Sequence, residues 1–512
     1  MAASDPSPND EYTTSVALSD RAADRHPLGE LLVLALPTVA QMASYTVMQF
    51  TDTWMLSKLG IVEPTAAANA SLFGFAITSI GFGTLWVVNT LVSQSFGRGD
   101  RRRCGQYLWQ GIWFGLIYGL LMLPLLPLTE PLFAGFGHEP RLAHLESTYL
   151  WITLSFTAFR LMGAAMGQFL LAIDRPNRVL IAAAVGASVN IFANWLLIWG
   201  HWGFPEWGLA GAAWGTNTGS VVEMLLLACF VFEPKVRRMY HATDWRLRSE
   251  RLLTLVRIGV PSGLQFVGDV LAWAVFGMLV MAVFGTTAMA ANTFAMRFMS
   301  LSFMPAFGIS AAVTALAGRY IGRGMPDVAA ARTALGFRVA AVYMLACGVM
   351  FFVFRHQLMS IFTDDPEVLR WGAMLLVFVA VFQVFDAMYI VYSGALRGAG
   401  DTLVPAIVTA TACWAMVVGL AYAVAKWMPW AGILGPWTVA TAYGMLLGVY
   451  MLVRFKRGAW RSIRIDRDEP PARAFEPIVD QEQPEPAESK PSLRSGGAWE
   501  GPGVEVVGES RG

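Results

Sequence analysis

Long apolar runs recur along the chain from Leu31 to Tyr450, and short polar segments separate them. About twenty residues of helix are needed to cross roughly 30 Å of hydrocarbon, and each run reaches that length. Glycine and proline inside the runs are tolerated in membrane helices, whereas membrane strands would alternate apolar and polar residues. The pattern predicts an all-α polytopic membrane protein with twelve transmembrane helices, at 30–57, 64–95, 106–127, 147–172, 178–200, 208–232, 253–283, 287–318, 330–354, 369–396, 402–425 and 432–455.

Composition agrees with this pattern. Of the 512 residues, 55% are hydrophobic and 14% are charged, whereas a soluble chain carries about 25% charged residues. The cysteines are scattered and lie mostly within apolar runs, so we expect them to be packing residues rather than disulfide partners or metal ligands. There are four of them, at Cys104, Cys229, Cys347 and Cys413.

The basic residues are distributed unequally between the two sides of the predicted membrane. Alternate connections read "GRGDRRR", "DRPNR", "KVRRMYHATDWRLRSER", "GRYIGRG" and "LRGAGD". The connections on the opposite side hold only Lys58, Arg141, Arg355, Arg370 and Lys426. Because basic loops stay inside, we expect a multi-pass protein of the inner (plasma) membrane with both termini in the cytoplasm.

The chain contains an internal duplication. The segment "ALPTVAQMASYTVMQFTDTWMLSKLG" resembles "GVPSGLQFVGDVLAWAVFGMLVMAVFG", with Pro37 opposite Pro261 and Gly60 opposite Gly285, about 225 residues further on. Six spans separate equivalent points, so the halves share one orientation and form parallel repeats. We therefore predict two six-helix lobes.

The predicted domains follow from this duplication. They are a cytoplasmic N-terminal tail at 1–28, an N-lobe at 29–232, a basic linker at 233–251, a C-lobe at 252–457 and a C-terminal tail at 458–512. We expect the linker to lie on the inner membrane surface. The tail is rich in Pro, Glu, Ser and Gly and is predicted to be disordered.

Several charged residues fall within the apolar runs. The acids are Asp52, Glu223, Asp269 and Asp386, and the bases are Arg160 and Arg297. A carboxylate in the bilayer costs about 2.5–3.5 kcal/mol, so such residues are expected to face the bundle interior and to mark ion or proton pathways. Two alternatives remain open: Asp52 could snorkel to its helix end, and Asp269 or Asp386 could pair with Arg297 or Arg397.

Helical spacing gives these acids polar companions. Asn190 and Asn194 are four residues apart on helix 5, and Gln265 precedes Asp269 by the same interval. Thr216 and Asn217 lie near the start of helix 6. Such amides either hold helices together or, beside an acid, contribute oxygens to a proton or Na⁺ site. Glu223 could extend this polar track or pair with Arg160, and the sequence does not decide between the two.

The sequence contains no motif of a soluble catalytic or nucleotide-binding module. It has no GxxxxGK[ST], no HExxH and no CxxC, and its histidines lie in or near predicted loops. We therefore expect a protein that is not an enzyme, has no cofactor other than a coupling ion and does not bind nucleic acid.

Taken together, several motifs resemble those of the multidrug and toxic compound extrusion (MATE) transporters. They are the helix 1 proline followed fifteen residues later by "FTDTWML", the "GRG" loops and "GALRGAGDT" after helix 10. The resemblance covers about 30–455. It implies two six-helix lobes around a central cleft and export of amphipathic, often cationic compounds in exchange for Na⁺ or H⁺.

The resemblance also implies site residues. Archaeal and DinF-like members use positions that correspond to Asp52, Pro37, Asn190, Asn194 and Thr216, and Asn194 departs from the acid expected there. NorM-type members carry acids at positions that correspond to Asp269 on helix 7, where Glu is usual, and Asp386 on helix 10. The implied Na⁺ sites are Asp269 with Asp386, or Asp52 with Asn190 and Asn194, while Pro37 would be a hinge and Gln265 a supporting polar group.

The implied mechanism is charge neutralisation. A carboxylate held out of water can be neutralised by a proton or Na⁺, and this weakens its attraction for a cationic drug. We expect the partners to be a drug-like small molecule and membrane lipid, with the protein a monomer. The alternative is a lipid-linked precursor flippase of the wider superfamily, for which Arg160 and Arg297 would provide a basic cavity.

Overall fold

The computed structural model describes residues 26–60, 62–463 and 465. Its N-lobe helices are α1 (Pro27–Ser57), α2 (Val62–Gly97), α3 (Arg101–Met122), α4 (Pro140–Ser155 with Thr157–Ala172), α5 (Pro176–Ile198) and α6 (Gly208–Val231). Its C-lobe helices are α7 (Ser249–Val275), α8 (Thr286–Gly322), α9 (Pro326–Val353), α10 (Pro366–Gly398), α11 (Leu403–Trp427) and α12 (Leu434–Arg457). The two parts of α4 are bent by 47°, so the described residues contain eleven helices able to cross a membrane, or twelve with α4 as one span. The all-α membrane fold is confirmed.

Two of the C-lobe spans depart locally from α-helical geometry. α7 continues through a π-helical turn at Phe276–Val280 and a 3₁₀ turn at Met281–Phe284, and α11 has a π-helical stretch at Cys413–Leu420. Shorter helices lie outside the bundle, at Thr129–Gly135, Pro234–Met239 and Arg355–Met359.

One end of the bundle carries most of the basic loops. We name it the basic end; it contains the first residues of α1 and the last residues of α2, α8, α10 and α12. The long helices α2 and α8, of 36 and 37 residues, exceed the roughly 20 residues that a bilayer requires. Both therefore extend their last turns beyond the hydrocarbon or are strongly tilted.

The first helix of each repeat begins against the opposite half of the bundle. Leu31 and Leu34 of α1 are buried in the hydrophobic core formed mainly by residues 272–460. Conversely, Leu255 near the start of α7 is buried in the core formed mainly by residues 85–242. Further along α7, Phe276 has joined the first of these cores. Near the basic end, α1 and α7 thus connect the two halves.

Small residues let these crossing helices approach closely. A Cβ atom placed on Gly83 of α2 would lie 2.6 Å from the Cα atom of Gly263 on α7. The equivalent contact of the other repeat brings Gly308 of α8 against Val39 of α1, where an added Cβ would lie 2.9 Å from the Val39 nitrogen. Packing of this kind replaces the hydrophobic driving force that is absent between helices in lipid.

A buried ionic network closes the basic end. Arg319 of α8, which is 2% exposed, pairs with Asp174 in the α4–α5 connection and with Glu30 of α1. Glu30 also accepts hydrogen bonds from Arg332 at 2.7 Å and from the Tyr320 hydroxyl. The network therefore joins an N-lobe loop, α1 and two C-lobe helices.

The linker packs against the N-lobe. The Trp109 indole nitrogen donates to the Ala242 carbonyl oxygen at 2.7 Å. At the linker's start, Arg178 binds the Glu233 carboxylate, and this hydrogen bond lowers the pKa of Glu233. The predicted N-terminal tail up to residue 25, and the C-terminal tail beyond residue 465, lie outside the described residues.

Candidate functional site

Two of the predicted acids line one cavity in the C-lobe. Asp269 of α7 and Asp386 of α10 both face a cavity of about 400 Å³. Asp386 is 5% exposed and has no hydrogen bond or ion pair with another described residue. Neither acid forms an ion pair with an arginine in the described part of the chain, although Arg397 lines the same cavity. The cavity therefore contains two carboxylates and one guanidinium.

A tyrosine that sequence reasoning missed holds Asp269 in place. The Tyr389 hydroxyl donates to Asp269 Oδ2 at 3.1 Å, and the Gln265 amide donates to the Tyr389 hydroxyl at 3.0 Å. Among the described residues, Asp269 Oδ1 is buried without a hydrogen-bond partner at bonding distance, although the Cys413 thiol also interacts with this carboxylate. The predicted companion Gln265 thus acts on Asp269 through Tyr389.

In the N-lobe, Asp52 points towards α5. The Asn194 amide donates to Asp52 Oδ1 at 2.6 Å, so Asp52 does not snorkel to the end of α1. Asn194 Oδ1 is buried without a partner among the described residues and lies against Gly215 of α6, where an added Cβ would be 1.9 Å away. Only glycine leaves room there for this amide.

Asn190 extends the same polar group towards α6. Its amide donates to Thr216 Oγ1 at 3.3 Å, and its Oδ1 atom is buried and unpaired. The structure therefore brings together the four polar residues that the resemblance implies: Asp52, Asn190, Asn194 and Thr216. Asn217 instead donates to the Ile152 carbonyl oxygen at 2.7 Å and joins α6 to α4.

A second N-lobe group surrounds Glu223, which lines a separate cavity of about 360 Å³ together with Arg160. The Tyr45 hydroxyl donates to Glu223 Oε1 at 2.5 Å, and the Gln41 amide donates to that hydroxyl at 3.2 Å. Arg160 lies over the Phe82 ring, 5.8 Å from its centroid. The close partner of Glu223 is therefore Tyr45, and Arg160 attracts its carboxylate from beyond ion-pair distance.

The two embedded arginines differ in position. Arg160 lines the N-lobe cavity, whereas Arg297 is exposed on α8 and lines neither of these cavities. The expectation that Arg297 faces the bundle interior therefore stays a prediction. A single arginine in a long apolar helix carries no signal in the sequence that would distinguish these positions.

Six apolar side chains line both cavities, and we name them the aromatic partition: Phe75, Trp86, Phe266, Phe303, Met304 and Phe307. Trp86 is central, because its ring contacts Phe266 at 4.7 Å and Phe307 at 4.9 Å between centroids. Arg397 also lies over the Trp86 ring. Flat aromatic faces beside carboxylates suit planar organic cations, which bind through stacking and cation–π attraction.

Pro37 lies where α1 meets the C-lobe. α1 continues through Pro37, and the neighbouring Thr38 hydroxyl lies 2.8 Å from the Gly308 carbonyl oxygen of α8. Proline removes a backbone hydrogen bond within the helix. A weakened segment of α1 therefore coincides with a contact between the lobes.

The unpaired oxygens bear on cation binding. Among the described residues no cluster of three or more His, Cys, Asp or Glu side chains could hold a metal ion. Na⁺ binds amide and hydroxyl oxygens as well as carboxylates, and the Asp52 group and the Asp269 and Asp386 pair both offer such atoms. Both groups therefore offer oxygen donors, the ligand type that suits hard cations rather than soft transition metals.

Several known proteins are similar to this chain over most of its length. A "Probable multidrug resistance protein NorM" of Mesorhizobium japonicum is 28% identical over 87% of this chain and 96% of its own length. The one of Chromobacterium violaceum is 30% identical over 82% of this chain and 92% of its own. The "Multidrug resistance protein PmpM" of Pseudomonas aeruginosa is 28% identical over 86% and 93%.

Solved structures agree on the fold. The outward-facing conformation of a multidrug resistance MATE family transporter superposes with a TM-score of 0.78 at 21% identity, covering 86% of this chain and 98% of that one. A eukaryotic MATE transporter gives a TM-score of 0.76 at 17% identity over 85% and 96%. The MatE family model matches residues 37–196 and 261–423, so its two copies begin at Pro37 and Pro261. With most of its length matched in this way, the chain belongs to the MatE family.

Proposed function

We propose that this protein is a secondary active multidrug efflux transporter. It exports amphipathic, cationic organic compounds in antiport with Na⁺ or H⁺. The observation that carries the proposal is the pair Asp269 and Asp386, which line one aromatic-walled cavity without an arginine bound to either. The names of the NorM and PmpM relatives support the multidrug class.

Drug and coupling ion compete for the same negative charges. With both carboxylates ionised, the cavity attracts an organic cation, and the aromatic partition accepts its planar body. Neutralisation of Asp269 or Asp386 by H⁺ or Na⁺ removes that attraction and releases the drug. In this structure the Tyr389 hydroxyl orients Asp269.

Export requires that the two ends of the bundle open in turn. In this structure the basic end is closed by the Arg319 network. We infer that the cavities are then accessible from the opposite side and that drug loading requires the basic end to separate. α1 is the helix that would rearrange, because it crosses between the lobes and contains Pro37.

The membrane potential can supply the energy. Moving one charge across 100 mV is worth about 2.3 kcal/mol. Since about 1.4 kcal/mol corresponds to a tenfold ratio, one net charge per cycle sustains roughly a 50-fold drug gradient. Asp52 with Asn190 and Asn194 would be a second ion site, and it carries one negative charge.

The setting of the protein follows from its helices. The described helices support a multi-pass membrane protein. We propose the inner (plasma) membrane, with both termini on the cytoplasmic side because the basic end would remain there. We further propose that the protein works as a monomer with no cofactor beyond the coupling ion.

The flippase alternative is less well supported by the cavities. A pyrophosphate-binding cavity needs an excess of basic side chains. The C-lobe cavity has two acids and Arg397, the N-lobe cavity has Glu223 and Arg160, and Arg297 lies outside both. We therefore favour the exporter of cations.

Everted membrane vesicles test the proposal. A Na⁺ gradient and an H⁺ gradient are imposed in separate experiments. We expect a cationic fluorescent dye to accumulate in the vesicles under one of them, and this result identifies the coupling ion. Asp269→Asn and Asp386→Asn should each abolish this accumulation. Asp327→Asn is the matched control, because Asp327 is exposed at the basic end, with 85% of its side chain accessible. Unimpaired transport in both cavity variants would remove the C-lobe acids from the mechanism.

A further inference from the structure

Arg160 lines the N-lobe cavity, and in the described part of the chain its guanidinium makes no hydrogen bond and no ion pair. It lies over the face of Phe82, and the Glu223 carboxylate attracts it only from beyond ion-pair distance. A charge removed from water and compensated only at a distance is costly. An anionic group that reached Arg160 would therefore gain a charge-assisted, bidentate interaction.

The repeat relation shows that this charge is reversed between the lobes. The connections after α4 and α10 each contain a residue with positive φ, namely Asp174 at 64° and Gly400 at 86°. Counted back fourteen residues from these, Arg160 and Asp386 occupy equivalent places. The position that provides a carboxylate in the C-lobe thus provides a guanidinium in the N-lobe.

A second pair of equivalent positions shows the same change. Pro37 and Pro261 fix the register, and eight residues later α1 has Tyr45 where α7 has Asp269. Tyr45 is neutral and donates its hydroxyl to Glu223. At both positions that supply the C-lobe acids, the N-lobe therefore has a neutral or positive side chain.

Glu223 does not neutralise Arg160 directly. No nitrogen–oxygen distance between the two side chains is within ion-pair range among the described contacts, and one Glu223 oxygen is engaged by Tyr45. Both charges nevertheless line the same cavity of about 360 Å³. The cavity consequently presents one positive and one negative group as separate features.

We infer that the N-lobe cavity binds the carboxylate of an amphipathic zwitterion on Arg160. The aromatic body of that ligand lies against the aromatic partition, and its cationic group faces Glu223. A phosphate dianion suits the cavity less well, because its second charge would meet the Glu223 carboxylate. The inference rests on the proposed function in that the ligand is an exported compound, and it adds a zwitterion-binding subsite to the cation-binding C-lobe.

The test uses two dyes that differ only at the carboxyl group. Rhodamine 110 has a free carboxylate and is a zwitterion near neutral pH, whereas rhodamine 123 is its methyl ester and is a cation. Binding of each to the purified full-length protein is measured by fluorescence anisotropy. We expect Arg160→Gln to weaken rhodamine 110 binding about 10-fold or more, as for loss of a hydrogen bond to a charged group. Rhodamine 123 binding should change less than about twofold, and this also shows that the variant is folded.

Two further variants make the outcome specific. Arg160→Lys keeps the charge but loses the bidentate geometry, so rhodamine 110 binding should be intermediate. Arg297→Gln removes the arginine of α8, which is exposed and lines neither cavity. The binding of both dyes should therefore stay unchanged. Equal losses for both dyes, unchanged rhodamine 110 binding in Arg160→Gln, or failure of the wild type to bind rhodamine 110 would each overturn the inference.

Transport separates this inference from the proposed function. Ion-driven accumulation of the two dyes is measured in proteoliposomes with the same proteins. Selective loss of rhodamine 110 binding without transport of either dye would refute the export function and leave the Arg160 subsite standing. If wild type and Arg160→Gln transported both dyes and bound them equally well, the export function would be supported and the Arg160 subsite refuted.

Discussion

The ion pair between Arg319 and Asp174 provides a direct test of the alternation between closed and open basic ends. Asp174→Asn removes the charge with little change in size. Arg319 is 2% exposed and the Asp174 side chain 34%. The pair joins a C-lobe helix to an N-lobe loop, so it must break whenever the basic end opens.

The size of the effect follows from this partial burial. A hydrogen bond to a charged group contributes about 1.5–3 kcal/mol when it is buried. Solvent reaches one side of Asp174, so the lower figure of about 1.5 kcal/mol applies. Arg319 keeps Glu30 as a partner at 3.6 Å and is not left as an isolated buried charge. About 1.5 kcal/mol corresponds to roughly a tenfold change in an equilibrium constant.

Distances between spin labels report that equilibrium. Arg102→Cys and Met325→Cys place labels on exposed positions of the two lobes at the basic end, in a background where the native cysteines are replaced. Double electron–electron resonance then gives the populations of short and long distances. We expect the open-to-closed ratio to rise about 10-fold in Asp174→Asn, for example from about 1% to about 9% open.

A double-mutant cycle assigns the effect to the pair. Asp174→Asn and Arg319→Gln should couple by about 1–1.5 kcal/mol, because removing either partner abolishes the same interaction. The surface pair of Asp327 with Arg461 is the control, and Asp327→Asn should change the populations less than about threefold. Unchanged distance populations in Asp174→Asn, or additive effects in the double variant, would show that this pair does not hold the basic end closed.

Three further predictions concern the lobes and their crossing. Asp52→Asn should lower the number of coupling ions moved per dye, measured as the dye gradient at a fixed ion gradient; an unchanged gradient would mean that Asp52 has no coupling role. Gly83→Ala should push α2 and α7 apart at the level of the cavities, because its Cβ would lie 2.6 Å from the Gly263 Cα, and the spin-label distances between the lobes should lengthen. Tyr389→Phe removes the hydroxyl that orients Asp269 and should slow ion-driven dye transport about 10-fold, without reducing the amount of folded protein seen by size-exclusion chromatography.

A glycine of α1 provides a control for the Gly83→Ala prediction. Gly29→Ala adds a methyl group on α1 at a position with nothing within 4 Å and should leave the label distances unchanged. Normal transport in Tyr389→Phe would show that Asp269 is held adequately without the hydroxyl. Normal label distances in Gly83→Ala would show that the crossing adjusts to an added carbon.

The membrane-spanning helices could be predicted from the sequence because each helix must by itself be compatible with the surrounding lipid. Every span must be apolar along its length and must satisfy its own backbone hydrogen bonds, so each leaves a local signal. The broken α4 shows the limit of this reading: the run predicted at 147–172 contains a bend of 47° after Ser155 that hydropathy does not reveal.

The internal duplication also pairs residues of the two lobes that the motifs alone do not pair. Gln41 and Gln265 occupy equivalent places after Pro37 and Pro261, and in the structure each amide donates to a tyrosine hydroxyl that in turn binds a carboxylate. Comparison of the repeats position by position would have drawn attention to Tyr45. It would not have found Tyr389, which comes from another helix.

The amino-acid sequence was enough to establish the all-α membrane class, the twofold repeat, the unequal distribution of basic loops and the embedded acids. The packing of the helices was needed to show that Asp269 and Asp386 share a cavity, that Asn194 holds Asp52, and that Arg160 lines a cavity. The physical reason is that a helix surrounded by lipid and protein is apolar on every side, so its sequence lacks the polar face that would fix its rotation. Which side chains meet is then set by close packing between helices that are distant in the chain.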